Sequence, residues 1–197
     1  MTELNTLRKD LRKQRRAVSC FQQQQAELKI IQHLRHHVAF QNSKKIGIYL
    51  SAFGEIQTTQ IIRHCFKLNK KVYLPMICNM NQRLVWVKIT KNQFENKRFA
   101  QHPLGMREPM ATRGIHVSDL DYLMMPLLAC DSLGTRMGMG GGYYDRTLAS
   151  APYKPVRVGL AHDFQYLNTA LIRQNWDQPL DLLITPSKTY FFKRNFI

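Results

Sequence analysis

The sequence predicts a compact three-layer α/β/α domain with a central, mostly parallel sheet. Short runs rich in β-branched and aromatic residues alternate with segments whose apolar residues recur at helical spacing. A strand, a loop and a helix follow one another early in the chain, and that unit builds layered α/β folds. The chain has 197 residues, 44% of them hydrophobic, and shows no internal repeat. We therefore expect residues 1–197 to form one domain.

The first predicted element is a basic amphipathic helix over Leu4–Ala17. Leucines recur on one face, at positions 4, 7 and 11, and arginines and lysines cover the other. One interpretation is a surface helix that docks through its leucines, with solvated charges. The other is that one or two of its cations reach a phosphate. The candidates are Arg8, Lys9 and Arg12.

A second helix and the first βα unit follow. Ser19 and Gln22 form a capping-box pattern, which predicts a helix from there to about Phe40. Residues 45–50, KIGIYL, read as a buried strand, and a helix opens at Thr58 or Thr59 after the loop 51–57.

The middle of the chain predicts a hairpin and then a long loop. Strands over Lys71–Ile77 and Leu84–Ile89 are joined through residues 79–82. Asn92–Arg113 is polar and has no periodicity, so we expect a long loop there.

The last third predicts the remaining strands and one helix. We expect a strand over Asp121–Ala129, a helix over Tyr143–Ser150, and strands over Val156–Ala161 and Leu180–Ile184. The C-terminal segment Thr189–Ile197, with Phe191, Phe192 and Phe196, is expected to pack back on the body.

The segment Gly134–Arg146, GTRMGMGGGYYDR, is the most unusual part of the chain. It holds five of the ten glycines within nine residues. Glycine is costly to order and supplies no side chain to a core, so we interpret the segment as a cradle whose amides approach an anion. A flexible linker or a tight turn would also be glycine-rich. No Gly-Lys-Ser/Thr ends the segment, and its spacing is not that of dinucleotide-binding loops.

Four further side chains are candidates for the same site. Glu55 follows the first strand, where α/β sheets bind ligands, although it could equally be an ordinary acid at a helix start. Trp86 lies in a strand and is either core or a face for a planar ligand. Asp145 and Asp177 could hold Mg²⁺ together with phosphates.

The charge of the chain limits its function classes. There are 29 Lys and Arg residues against 13 Asp and Glu, a formal +16. Such a balance suits a nucleic-acid binder or an enzyme with polyanionic substrates. No nucleic-acid recognition module is present in the sequence, which makes nucleic acid the weaker partner. The four cysteines show no metal-site spacing, and no apolar run approaches the roughly 18 residues of a membrane span. We expect a cytoplasmic protein with free thiols.

The segment Arg136–Asp145, RMGMGGGYYD, together with Pro126 and Asp131, resembles the glycine-rich signature of the 5-formyltetrahydrofolate cyclo-ligase family. Four other segments fall in the family's order and at about its spacing, so the resemblance covers nearly the whole chain. They are LRKDLRKQRRAVS, IYLSAFGEIQT, GMREP and WDQPLDLLIT.

The resemblance implies a reaction and its ligands. Mg-ATP would activate the N5-formyl oxygen of 5-formyltetrahydrofolate as a phosphorylated imine, and N10 would then displace phosphate to give 5,10-methenyltetrahydrofolate. The folate is expected to be polyglutamylated, and the protein to be a monomer.

The resemblance also implies roles for particular residues. Tyr144 and Arg136 are expected to be catalytic, and Asp145 and Asp177 to bind magnesium. The expected ATP contacts are Arg8, Arg12, Arg136, Met137, Gly138, Met139, Gly140, Gly141, Gly142, Tyr143 and Tyr144. The expected folate contacts are Leu50, Glu55, Trp86, Glu108, Pro109, Gly140, Gly141, Gly142 and Tyr143.

Two positions depart from the family pattern. Leu4 stands where a lysine is usual, and Met139 stands where an arginine or lysine is common. Each change removes a cation near phosphate, and Lys9, Arg12 or Arg146 are candidates to compensate. Two alternatives stay open at this point: a basic nucleic-acid-binding protein without catalysis, and a degenerate family member that binds folate or nucleotide without turnover.

Overall fold

The computed structural model describes residues 3–194, and Phe196 of the predicted C-terminal segment lies outside them. Six α-helices and two short 3-10 helices lie within the described residues. The α-helices are α1 Glu3–Ala17, α2 Cys20–His36, α3 Val38–Asn42, α4 Thr59–Lys67, α5 Lys91–Glu95 and α6 Tyr143–Leu148. The 3-10 helices are Val117–Asp119 and Asp163–Gln165.

Twelve strands in the described residues form three sheets. The strands are β1 Lys45–Gly47, β2 Lys71–Cys78, β3 Arg83–Ile89, β4 Phe99–Gln101, β5 Arg107–Pro109, β6 Tyr122–Pro126, β7 Ala129–Asp131, β8 Arg136–Met137, β9 Val156–Leu160, β10 Tyr166–Leu167, β11 Leu182–Ile184 and β12 Thr189–Phe191. The central sheet has seven strands in the order β12-β11-β9-β6-β1-β2-β3, the second is β10-β7-β8, and the third is β4-β5.

The central sheet is mostly parallel, as predicted. The pairs β11–β9, β9–β6, β6–β1 and β1–β2 are parallel, and only the outer pairs β11–β12 and β2–β3 are antiparallel. The hairpin that the sequence predicts between residues 71 and 89 is therefore confirmed at one end of the sheet. Parallel strands need covered faces on both sides, which this chain supplies.

Alternate residues of the central strands face opposite layers. Met124 packs with helices α2 to α5 on one face, whereas Met125 packs with α6 and the first 3-10 helix on the other. Leu182 and Leu183 divide between the two layers in the same way. This period of two lets one apolar run serve both layers, and it confirms the predicted α/β architecture.

The second helix ends earlier than predicted. The capping box at Ser19 and Gln22 is present, but the helix ends at His36 and a short helix begins at Val38. His37, between them, is extended, and its ring nitrogen hydrogen-bonds the hydroxyl of Tyr122, a core residue of β6. No glycine or proline marks this break, so no local pattern predicts it.

The predicted long loop over Asn92–Arg113 is wrong in part. It contains most of α5 and the hairpin of β4 and β5. The predicted strand over Asp121–Ala129 is also divided. The chain leaves the central sheet after Pro126, and the amide of Leu128 donates to the carbonyl of Met137 in the small sheet. Three-residue strands are too short to show a periodicity of their own.

The first helix docks on the small sheet through its leucines, as one of the two interpretations predicts. Leu11 is buried with Leu128, Ala129 and Met137, and Leu4 and Leu7 pack around this cluster. The small sheet in turn carries the glycine segment, because β7 and β8 form an antiparallel pair just before it. Helix α1 is thereby fixed beside the glycines. No helix within residues 3–194 has the length and apolar character needed to cross a membrane.

Candidate active site

A cavity of about 750 Å³ opens at the carboxyl ends of β1 and β6. The chain continues from β1 to β2 on one side, and from β6 towards β9 on the other. Ligands of α/β sheets bind where neighbouring strands connect in opposite directions, because the loops part there and leave a crevice. The loop after β1 and the end of β6 both line the cavity.

Most of the predicted site residues line this cavity together. They are Arg8, Leu50, Glu55, Glu108, Asp177 and all ten residues from Arg136 to Asp145. Segments far apart in the sequence therefore converge on one space.

Three predicted site residues do not line the cavity. Trp86 is fully buried between the sheet and α6, and its ring lies 6.5 Å from that of Tyr144, so it supports the wall from behind. Pro109 is buried at the end of β5. Arg12 donates from Nη2 to the carbonyl of Met139 at 3.0 Å and so holds the glycine segment. None of these three side chains lines the cavity in the described structure, and their contacts with a ligand stay predictions.

The glycine segment is open where it faces the cavity. Gly140 has φ of +105°, and a Cβ placed on it would meet no atom within 4 Å. Gly142 has φ of +64°, a conformation that side chains rarely adopt, and it precedes α6. Within the described residues, the amides of positions 139–142 donate no backbone hydrogen bond. Unpaired amides beside open space suit the oxygens of an anion.

Two arginines of α1 contact Met139 of the glycine segment. Arg12 holds its carbonyl, and Nη2 of Arg15 lies 3.7 Å from its sulfur. A methionine at this position therefore accepts from a guanidinium, whereas an arginine or lysine would be repelled by two cations of α1.

Arg15 is a buried cavity residue that the sequence analysis does not single out. Its side chain is 1% exposed, and it donates to the carbonyls of Phe53 and Leu127. Its Nη1 also lies 3.7 Å from the carboxylate of Glu55. One buried guanidinium thus joins α1, the loop after β1, the end of β6 and the glycine segment. Burial lowers its pKa, and Glu55 opposes that effect.

Glu55 is a carboxyl group poised to change charge near neutral pH. Burial raises its pKa to about 7, and the charge of Arg15 and the amide of Ala52 act in the opposite direction. The amide of Ala52 donates to Oε2 at 3.0 Å, which orients the group. A carboxyl with this pKa can donate a hydrogen bond or accept a proton at the pH where enzymes work.

Arg136, Tyr144 and Asp145 form one cluster on the cavity wall. Nη2 of Arg136 lies 2.8 Å from Oδ1 of Asp145, and its guanidinium lies over the ring of Tyr144 at 5.4 Å. Burial raises the pKa of Tyr144 well above its ordinary value, so the hydroxyl stays protonated. Oδ1 of Asp145 also accepts from the amide of Gln178. The cluster is therefore fixed before any ligand arrives.

The cavity is lined by more cations than carboxylates. The cations among the described residues are Arg8, Arg15, Arg83, Arg107, Arg136 and Arg146, and the acids are Glu55, Glu108, Asp145 and Asp177. The Nε atoms of Arg8 and Arg136 are buried without a hydrogen-bond partner in the described structure. Buried donors are normally paired, so an anionic ligand fits here.

Asp177 lies at an apolar end of the cavity. Its carboxylate accepts from the amide of Gln174, and Trp176 beside it is 67% exposed although it lines the cavity. Leu171 and Ile172 line the same cavity. No group of three or more metal-binding side chains occurs among residues 3–194. Mg²⁺ nevertheless needs only one or two protein carboxylates when phosphates and water complete its coordination shell.

Comparison with protein families gives one match over most of the chain. The 5-formyltetrahydrofolate cyclo-ligase family matches residues 1–186. The 5-formyltetrahydrofolate cyclo-ligase of Haemophilus influenzae is 34% identical over 182 residues, which span 90% of this chain and 95% of that protein. The enzyme of the same name from Escherichia coli K12 is 33% identical over 184 residues, or 91% of this chain and 98% of that protein.

Two solved structures share the fold. The 5,10-methenyltetrahydrofolate synthetase of Aquifex aeolicus has a TM-score of 0.81 and 28% identity, and the match covers 100% of this chain and 96% of that one. The corresponding protein of Mycoplasma pneumoniae has a TM-score of 0.72 over 94% of this chain and 99% of its own, at 20% identity.

Proposed function

The chain belongs to the 5-formyltetrahydrofolate cyclo-ligase family, and on that premise we propose that its 750 Å³ cavity carries out the family's reaction. The reaction converts 5-formyltetrahydrofolate to 5,10-methenyltetrahydrofolate at the expense of ATP, with release of ADP and phosphate. The observation that carries the proposal is the convergence of α1, the loop after β1 and the glycine segment on one space.

The triphosphate is proposed to lie along the glycine segment. The unpaired amides of residues 139–142 and the unpartnered Nε atoms of Arg8 and Arg136 supply donors for its oxygens. Arginine suits this task because its planar fork matches phosphate geometry. Leu4 lines the cavity as well, so the position that lacks the family's usual lysine offers an apolar contact in its place.

The folate is proposed to lie on the side of Glu55, Leu50 and Glu108, which line the same cavity. A pterin ring presents amide-like and amine-like edges, and a carboxyl with a pKa of about 7 can pair with either. Tyr49 and Tyr144, both near Glu55, remain protonated because burial raises the pKa of each. The hydroxyl of Tyr49 already donates to a backbone carbonyl in the loop after β1 at 3.2 Å, so of the two it is Tyr144 that can donate a hydrogen bond to the substrate.

The chemical sequence that suits this arrangement has two steps. The formyl oxygen attacks the γ-phosphorus and the bond to ADP breaks, which leaves an N5-iminium phosphate. N10 then attacks the formyl carbon and loses its proton, and inorganic phosphate departs with the formyl oxygen. Arg136 and the glycine amides would stabilise the charge that develops on the transferred group. An amide-like oxygen leaves poorly until it is phosphorylated, which is why ATP is consumed.

Magnesium is proposed to bind at Asp145 and Asp177. These two residues suit Mg²⁺ for two reasons. Oδ2 of Asp145 accepts no hydrogen bond from a described residue, and Asp177 lines the same cavity. When bound, Mg²⁺ would neutralise the phosphate oxygens and orient the γ-phosphoryl group. Arg136 holds Oδ1 of Asp145 and so keeps the other oxygen turned away from it.

The remaining proposals concern the protein as a whole. We propose that residues 1–197 work as one domain, that the enzyme is a cytoplasmic monomer, and that its folate carries several glutamates. The support for the glutamylated folate is the +16 formal charge, which attracts anionic substrates.

The direct test is the appearance of the methenyltetrahydrofolate absorbance from 5-formyltetrahydrofolate with Mg-ATP. Product should form with ATP and not without it. A purified, folded protein that forms none would refute the proposal. Tight nucleic-acid binding with a steep salt dependence would then favour the non-catalytic alternative.

A further inference from the structure

A second, smaller cavity lies beside the active site. Its volume is about 110 Å³, and Leu50 and Arg107 line both cavities. Its other walls come from the start of α4, the end of α5 and β4. A ligand that fills the large cavity and leaves it past Leu50 would therefore run directly into the small one.

Positive charge prevails in the small cavity. Arg63, Lys97 and Arg107 line it against one carboxylate, that of Glu95. The side chains of Lys97 and Arg107 form no hydrogen bond or ion pair with a residue in the described range, and both are exposed. Two cations are thus available to a bound anion.

The third cation is held by Glu95. Nε and Nη2 of Arg63 donate to the two oxygens of Glu95 at 2.9 and 2.7 Å. The two side chains are 45% and 36% exposed, and ion pairs in that setting contribute little to stability because water competes with them. A carboxylate of a ligand can therefore replace Glu95, and Glu95 in turn competes with that ligand.

The substrate of the proposed reaction is long and charged at one end. Its pterin reacts, its p-aminobenzoyl group is apolar, and its glutamyl end bears carboxylates. Leu50 lies between the reacting centre and the small cavity, where an apolar link would pass. Resting on the proposed function, we propose that the small cavity binds the glutamyl carboxylates of the folate through Lys97, Arg107 and Arg63.

The test compares substrates with and without the glutamyl carboxylates; the one without them ends at the p-aminobenzoate carboxylate. Initial rates are measured for 5-formyltetrahydropteroate, which lacks glutamate, and for 5-formyltetrahydrofolate with one and with three glutamates. Lys97→Ala should raise KM for the glutamylated substrates about threefold with kcat nearly unchanged, and Lys97→Ala with Arg107→Ala should raise that KM about tenfold. Lys97→Ala should leave KM for the pteroate unchanged. Lys67→Ala, an equal loss of charge on α4 outside both cavities, should change none of these values.

A gain of affinity is also expected. Glu95→Gln removes the competing carboxylate and frees Arg63, so KM for the triglutamate should fall about twofold while KM for the pteroate stays constant. The proposal is overturned if Lys97→Ala raises KM for the pteroate as much as for the triglutamate, or changes neither.

Failure of the proposed function would look different, because the wild-type protein would then form no product from any of the three compounds. In that case calorimetry of 5-formyltetrahydrofolate against 5-formyltetrahydropteroate, with wild type and Lys97→Ala, tests the small cavity by itself. Equal affinities of the two compounds for the wild-type protein would overturn it.

Discussion

The substitution Glu55→Gln tests the electrostatics of the cavity through protein stability. The carboxyl has an ordinary pKa of 4.5 when the chain is unfolded, and burial raises it to about 7 in the folded protein. Between those values the unfolded chain has lost the proton and the folded protein still holds it. Unfolding then releases a proton, so the free energy of unfolding falls as pH rises from about 4.5 to about 7 and levels off above that.

The magnitude follows from the two pKa values. A difference of about 2.5 in pKa, at 1.36 kcal/mol per pKa unit, amounts to about 3 kcal/mol of stability lost across that pH range. Glutamine has nearly the same shape and does not titrate. The stability of wild type minus that of Glu55→Gln should therefore drop by about 3 kcal/mol between pH 4.5 and pH 8.

The assay is urea unfolding of both proteins, followed by circular dichroism at half-unit steps of pH. Subtracting the two curves removes the titration of every other group. Glu95→Gln is the control, because a hydrogen bond from Arg63 lowers the pKa of the exposed Glu95 carboxyl. Its difference curve should rise with pH and not fall. A flat Glu55 difference curve would show that the carboxyl is not buried as described, and the reasoning would be refuted.

Three further substitutions test the division of roles in the cavity. Glu55→Gln should weaken folate binding and leave ATP binding nearly intact by calorimetry, and an equal loss of both would contradict it. Asp145→Asn should lower turnover by about 100-fold with the fold preserved by circular dichroism, and wild-type activity across magnesium concentrations would remove Asp145 from the metal site. Gly141→Val should weaken ATP binding about tenfold, because its Cβ would lie 2.8 Å from the Tyr143 ring. An affinity equal to that of the wild type would show that the segment does not hold the nucleotide.

The fold could be predicted where residue patterns are long. The strands over residues 71–78 and 83–89 and the helix over residues 3–17 each contain enough residues for a period of two or of 3.6 to show. The three-residue strands β4 and β5 and the five-residue α5 do not, so residues 92–113 read as a loop. The break at His37 depends on a contact with Tyr122, 85 residues away, which no local pattern encodes.

The site could be predicted where composition is unusual. The glycine segment stands out, and Glu55, Asp145 and Asp177 are candidates from their positions, to which the family resemblance adds roles. Arg15 did not stand out, because six cations within nine residues of α1 look alike and only the docked helix shows which one is buried. Trp86 was misplaced for a related reason, since neighbouring strand residues face opposite layers and only the register assigns each side chain to one.

The two tryptophans differ in exposure, so their intrinsic fluorescence reports on two different events. Trp86 is fully buried in the core, whereas Trp176 is 67% exposed on the cavity wall next to Asp177. The polarity around Trp86 changes only when the core opens, and that around Trp176 changes when a ligand covers it. Fluorescence of the unlabelled protein can therefore separate unfolding from occupancy, with Trp176→Phe leaving only the first signal.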